Sequence, residues 1–129
     1  MKKLWLVALI VFIFDQLSKI FFTGKEFFIF KYAENYGAAF SLFNGGRWFF
    51  IFVAIALIFF IWHYRKKINK NLQIPLGLLV GGALGNTYDR LFFGFVRDFI
   101  DLGFWPVFNI ADIANCIAVV LIIYYTWKE

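Results

Sequence analysis

Long apolar runs along the chain are separated by short polar clusters, and four of the runs approach the ~20 residues a helix needs to cross a hydrocarbon core. The first extends from about Leu4 to Phe22 and is interrupted only by Asp15, Gln16, Ser18 and Lys19. The second, about Trp48 to Tyr64, is almost purely apolar. The third, about Leu72 to Phe93, carries Pro75 in its first turn, where the missing N–H costs no hydrogen bond. The fourth, about Val107 to Trp127, follows Pro106. This pattern predicts an all-α integral membrane protein with four transmembrane helices, at about 4–22, 48–64, 72–93 and 107–127. Residues 1–129 read as one domain, without a linker or low-complexity tract. Lys2, Lys3 and the run Leu4–Phe14 look like the start of a cleavable leader. No small-x-small site follows them, and the run continues through Ile20–Phe22, so a retained helix is expected.

Composition strengthens the membrane reading. Hydrophobic residues make up 63% of the chain and charged residues 16%, against roughly 45–50% and about 25% in a soluble domain. A chain of 129 residues folded in water could not hide that much apolar surface. The formal charge of +5 does not form the dense basic stripe of a nucleic-acid binder. Its distribution sets an orientation instead. With four crossings, Lys2, Lys3, Arg65, Lys66, Lys67, Lys70 and Lys128 fall on one side, which the positive-inside rule makes cytoplasmic. Both termini are then cytoplasmic, and the loops at about 23–47 and 94–106 face outward. The single Cys116 excludes an intrachain disulfide and reads as small apolar filler.

Against this apolar background the polar residues stand out, because an ionisable group at membrane depth costs at least ~2.5–3.5 kcal/mol to insert. Four constellations occur, all toward the outer face in this topology. They are Asp15-Gln16-x-Ser18-Lys19, Glu34-Asn35-x-Gly37, Gly85-Asn86-x-x-Asp89-Arg90 running on to Asp98, and Asn109-x-x-Asp112. Asn86, Asp89 and Arg90 share a helix face, as do Asn109 and Asp112. Gly81, Gly82, Ala83 and Gly85 form a small-residue face that admits a neighbouring helix closely. Bland readings compete at each position. Asp15 with Lys19 fits a structural i, i+4 ion pair, Asp89 a pairing with Arg90 or an Asn, Asn35-x-Gly37 a turn, and Asp98 a surface charge beside Arg97. Asp112 has no basic residue within a turn. The only histidine, His63, lies at the opposite end of the second run, so a serine triad, a Cys–His pair and a zinc site all lack parts. A pair of aspartates remains. Two close carboxylates share one proton, so one acts as base on water while the other protonates a carbonyl. Asp112 is one member, and spacing leaves Asp89, Asp98 and Asp101 open as the other.

These motifs, in this order, resemble those of lipoprotein signal peptidase, or signal peptidase II. The matching stretches are Asp15-Gln16-x-Ser18-Lys19, Asn35-x-Gly37-Ala38-Ala39-Phe40-Ser41, Gly81-Gly82-Ala83-x-Gly85-Asn86-x-x-Asp89-Arg90, Val96-x-Asp98-Phe99-Ile100 and Phe108-Asn109-x-Ala111-Asp112. The resemblance implies catalytic aspartates at Asp98 and Asp112. It implies that Asp15, Asn35, Asn86, Arg90 and Asn109 line or brace the site, and that Asp89 supports it by bracing Arg90 and Asn86. It further implies an aspartic endopeptidase of the bacterial cytoplasmic (inner) membrane, with its active site toward the extracytoplasmic face. Its partners would be membrane lipid and a prolipoprotein whose cysteine carries diacylglycerol, cut just before that cysteine. The enzyme would be a monomer that needs no metal or cofactor and is blocked by globomycin. Asp98 is expected in an interfacial loop once Gly94 has ended the third helix. Asp98 and Asp112 lie only fourteen positions apart, so a trimmed outer loop and a reduced extracytoplasmic β-sheet are expected. A proton-coupled transporter using Asp15, Asp89 and Asp112 and a non-catalytic scaffold subunit are the competing classes. Internal repeats and broken midplane helices, the marks of a transporter, are not visible in the sequence.

Overall fold

The computed structural model describes residues 1–37 and 46–129, so the expected motif residues Ala38, Ala39, Phe40 and Ser41 lie outside the described residues. Four helices form: α1 (Lys2–Phe22), α2 (Arg47–His63), α3 (Gln73–Phe92) and α4 (Ile110–Lys128). Two short 3₁₀ turns, Arg65–Lys67 and Lys70–Leu72, join α2 to α3. The expected ends hold to within a residue or two, except that α4 begins at Ile110 rather than near Val107. Asn109 causes the delay, because its side chain accepts from the Asp112 N–H while the Asp112 carboxylate accepts from the Asn109 N–H. That reciprocal capping fixes the first turn three residues beyond Val107. α1 and α4 are each long and apolar enough to cross a membrane, whereas the apolar α2 is shorter, at 17 residues. In α3, glycines and polar residues replace much of the apolar surface.

The segments expected to face outward are more ordered than loops. Strands β1 (Glu26–Phe27), β2 (Phe30–Asn35) and β3 (Val96–Ile100) form an antiparallel sheet in that order, with Ala33 opposite Asp98 and Asn35 opposite Val96. Asp98 therefore stands on a strand, not in a loop. Gly94 at φ +81 turns the chain out of α3, and its N–H joins that of Phe93 on the Asp89 carbonyl, the left-handed stop glycine favours. Pairing to β2 then satisfies the backbone of a segment that is largely buried.

α3 is the central helix, packed against α1, α2 and α4. Its glycines set how close the neighbours come, and they point two ways. A Cβ on Gly77 or Gly81 would meet the Leu4 or Ala8 carbonyl oxygen of α1 at 2.7 Å. A Cβ on Gly82 would meet Ala111 O of α4 at 2.6 Å, and one on Gly85 would strike the Asp15 carboxylate. Ala83 is not buried with them. The apolar core of Leu4, Ala8, Ile61 and Val80 lies toward the end of the bundle that carries the 3₁₀ turns. The rest of the molecule is inverted relative to a soluble fold. Phe14, Phe52, Phe59 and Val120 are exposed, while Asp15, Lys19, Asp89, Asp98 and Asn109 are buried. Such a distribution is stable only where the surroundings are as apolar as the surface.

Candidate active site

The site is assembled from α1, α3, α4 and the sheet. β3 supplies both sides of it through its pleat, since successive side chains point to opposite faces. Arg97 and Phe99 turn toward α1 and α3. Phe99 stacks on Phe22 with ring centroids 4.6 Å apart. Asp98 turns the other way, toward Asn35 and α4.

On the Arg97 side lies a closed cluster of charges. Lys19 Nζ is 2.7 Å from Asp15 Oδ2 and 3.2 Å from Asp89 Oδ2, all three groups being fully buried. Arg97 completes it, with Nη2 2.9 Å from Asp89 Oδ1, Nε 3.2 Å from Oδ2 and its own N–H donating to Oδ2 at 2.9 Å. Gln16 Nε2 reaches Asp89 Oδ1 at 3.2 Å, and its Oε1 accepts from Arg97 Nη2 at 2.7 Å. Asp15 Oδ1 accepts the N–H of Ala111 at 2.9 Å, so a carboxylate meets the positive end of α4. Asp15 and Lys19 thus form the anticipated i, i+4 pair. Asp89 is a correction. Its hydrogen bonds and ion pairs go to Arg97, Gln16 and Lys19, and among the described residues none goes to Arg90 or Asn86. One turn of helix points Asp89 toward the emerging β3 backbone, where Arg97 meets it.

The other side is built from amides. Asn109 Nδ2 donates to Asp98 Oδ1 at 2.8 Å, and its backbone N–H donates to Asp112 Oδ2 at 3.1 Å. One residue therefore holds both carboxylates. Asn86 Nδ2 donates to Asp112 Oδ1 at 3.0 Å, while its Oδ1 accepts from Lys19 Nζ at 3.2 Å and from Asn109 Nδ2 at 3.1 Å. Lysine can only donate, so it orients the Asn86 amide with nitrogen toward Asp112. The Asn35 side chain hydrogen-bonds Asp98, and its Oδ1 caps Gly37 N–H at 2.9 Å. The turn anticipated at Asn35-x-Gly37 exists and serves the site. Arg90 donates to Gly37 O at 3.5 Å, lies over the Phe50 ring at 4.8 Å and is within electrostatic range of Asp112 and Asp98.

Burial, followed by the neighbouring Asp112 charge, pushes the Asp98 carboxyl up to about 7, against hydrogen bonds from Asn35 and Asn109 and the charge of Lys19. A carboxyl so placed holds a proton near neutral pH, which is what a shared-proton pair requires. Asp101 does not line the cavity that Asp98 and Asp112 share. Its Oδ1 accepts Gly103 N–H at 2.8 Å in the following turn, and Asp89 is saturated by cations. Both carboxylates of the Asp98–Asp112 pair open on a cavity of about 350 Å³ lined also by Asn35, Asn86, Arg90 and Trp105. Beside it runs an apolar groove of about 360 Å³ that shares Trp105, Phe108, Asp112 and Cys116. No site role is assigned from the sequence to Gln16, Lys19, Arg97 or Asn115. Lys19 and Gln16 lay within a recognised motif, but nothing local shows that they reach α3 and β3. Asn115, three positions beyond Asp112 on the same helix face, was legible from spacing.

Known proteins resemble this chain in sequence and fold. A family model described as Signal peptidase (SPase) II fits residues 7–128. A lipoprotein signal peptidase of Halothermothrix orenii is 36% identical, covering 97% of this chain and 95% of that one. One from Syntrophomonas wolfei is 42% identical over 87% and 84% of the two chains. The solved structure of a bacterial membrane enzyme superposes with a TM-score of 0.87 at 33% identity, covering 99% of this chain and 89% of that one. A second gives 0.84 at 31% identity over 100% and 95%.

Proposed function

This chain belongs to the signal peptidase II family, and from that premise we propose an aspartic mechanism in which Asp98 and Asp112 carry out the cleavage. Membership makes it a protease of lipoprotein processing and a membrane protein. The pair bridged by Asn109, open to one cavity and holding a carboxyl pushed up to about 7, is the observation that carries the proposal. One carboxylate takes a proton from water as it attacks the scissile carbonyl. The other gives its proton to the carbonyl oxygen, and on collapse of the tetrahedral adduct a proton passes to the leaving amine.

The substrate is a prolipoprotein with a diacylglyceryl cysteine, cut immediately before that cysteine. The apolar groove against Asp112 suits a bond flanked by lipid, and exposed apolar helix faces let a signal peptide approach from within the bilayer. All four helices span the bacterial cytoplasmic membrane in this reading, with both termini inside and the sheet outside. The chain acts as a monomer without a metal, and globomycin blocks it. Asp15, Asn35, Asn86, Asp89, Arg90 and Asn109 line or hold the site. A transporter fits less well, because its expected relay of Asp15, Asp89 and Asp112 is split: two of the three are locked to cations.

The test is incubation of purified protein with a diacylglycerylated prolipoprotein, followed by mass spectrometry. Release of the signal peptide with diacylglyceryl-cysteine at the new N-terminus, unchanged by EDTA, is expected. Cleavage elsewhere, or loss on chelation restored by zinc, overturns the reading.

A further inference from the structure

The end of the sheet where Phe30 pairs with Ile100 gathers two apolar tips. One is the turn between β1 and β2, the other the loop that follows β3, and Asp101 N–H ties them by donating to Ile29 O at 2.7 Å. Phe28, in the first, is 92% exposed at φ +54, a left-handed conformation that bulky residues rarely adopt. The turn thus holds a phenyl ring outward at a conformational cost. Phe104, in the second, is 83% exposed, and Leu102 and Trp105 beside it are also exposed. A soluble surface has no reason to spend four large apolar residues on two loop tips.

The position of the second loop identifies what covers them. Leu102, Phe104 and Trp105 form one wall of the apolar groove, and Ile113, Cys116 and Ile117 of α4 form the other. Those α4 residues lie within two turns of the helix start, and the depression continues down the helix past Val120 and Leu121. The loop therefore hangs beside the lipid-facing side of α4 at the edge of the hydrocarbon, not above it. Exposed Lys25 and Lys31 bracket the Phe28 turn in sequence, the combination of apolar tip and basic flank that binds headgroups.

We infer that Phe28 and Phe104, with Leu102 and Trp105, anchor the sheet in the outer-leaflet interface of the bilayer, with lipid as the partner. The inference rests on the membrane-spanning reading above. Because Asp98 stands on β3 and Asp112 on α4, such an anchor holds the strand at a fixed height over the helix.

Spin labels test it in the full chain, on a Cys116→Ala background, in nanodiscs of phosphatidylcholine and phosphatidylglycerol. Labels at Phe28→Cys and Phe104→Cys are compared with Val120→Cys on α4 and Glu34→Cys on β2 by collision with oxygen and with a water-soluble nickel chelate. Positions 28 and 104 are expected to favour oxygen over nickel several-fold more than 34 does, approaching 120. Nickel access at 28 and 104 equal to that at 34, with 120 still in lipid, overturns the anchor alone. Nickel access at 120 as well overturns the spanning reading and the anchor with it. Low access to both agents at 28 and 104 means that protein covers them, and also overturns it.

Discussion

Asp15 and Asp89 each pair directly with a cation, whereas Asp98 and Asp112 take their hydrogen bonds from amides and feel Arg90 only at longer range. In the first set two carboxylates meet Lys19 and Arg97, every member is buried, and charge and hydrogen bonds balance. Burying ions without such balance costs several kcal/mol each, so this set is a closed structural knot tying α1, α3, β3 and the start of α4. In the second set the donors are Asn35, Asn86 and Asn109, and the pair opens on a cavity. Amides orient carboxylates without cancelling their charge, which leaves the pair to settle its repulsion by keeping a proton. Asn86 joins the two regions, because Lys19 on one side fixes which end of the amide meets Asp112 on the other. Identical side chains thus meet opposite surroundings, direct ion pairs in one region and amide donors in the other.

The largest effect that breaks this contrast is expected at Asp112. Asp112→Asn keeps the shape but cannot exchange a proton, so turnover falls by at least ~10²–10⁴-fold in a single-turnover assay. Adding Asp98→Asn to it costs little more, since members of one unit are not additive. Next comes the knot. Lys19→Met leaves Asp15 and Asp89 buried without their shared cation, and a loss of about 3–5 kcal/mol is expected, read as a lower melting temperature in detergent. Adding Asp15→Asn restores part of it. Gly85→Ala presses a methyl against the Asp15 carboxylate, and overpacking of that kind costs ~1–3 kcal/mol. Turnover per folded molecule is expected to persist.

A further effect is a pH dependence. The folded Asp98 carboxyl sits near 7, above its ordinary value of 3.8. The native state therefore binds the extra proton between these values, and the stability that this contributes is lost as pH rises from about 4 to about 7. Asp98→Asn stays neutral and escapes that loss. Its melting temperature is expected to exceed that of the unaltered protein by a margin that is small at pH 5 and full by pH 8. A margin independent of pH contradicts the raised carboxyl.

Much of this is legible in the sequence. The helices follow from run length, the stop at Gly94 from glycine's left-handed preference, and the pairing of Asn109 with Asp112 from i, i+3 spacing. Asp98 was placed by motif resemblance, because spacing alone admitted Asp89 and Asp101 equally. What the sequence hid is long-range. The register that faces Ala33 with Asp98 is set by two strands more than sixty positions apart, and no local pattern carries it. Arg97 is the sequence neighbour of Asp98, yet the pleat sends the two side chains to opposite faces. Only that alternation reveals that Asp89 already has its cation.

The most direct test sets one carboxylate of each region against the other. Asp98→Asn and Asp89→Asn are each measured for melting temperature in detergent and for single-turnover cleavage of a diacylglycerylated prolipoprotein. Asp98→Asn is expected to melt at or above the unaltered protein and to cleave nothing. Asp89→Asn, by uncovering part of Lys19 and Arg97, is expected to melt lower and to cleave in proportion to the folded fraction. If Asp98→Asn cleaves normally while Asp89→Asn is folded and inactive, the reacting pair is Asp89 with Asp112, and the division between knot and dyad is wrong.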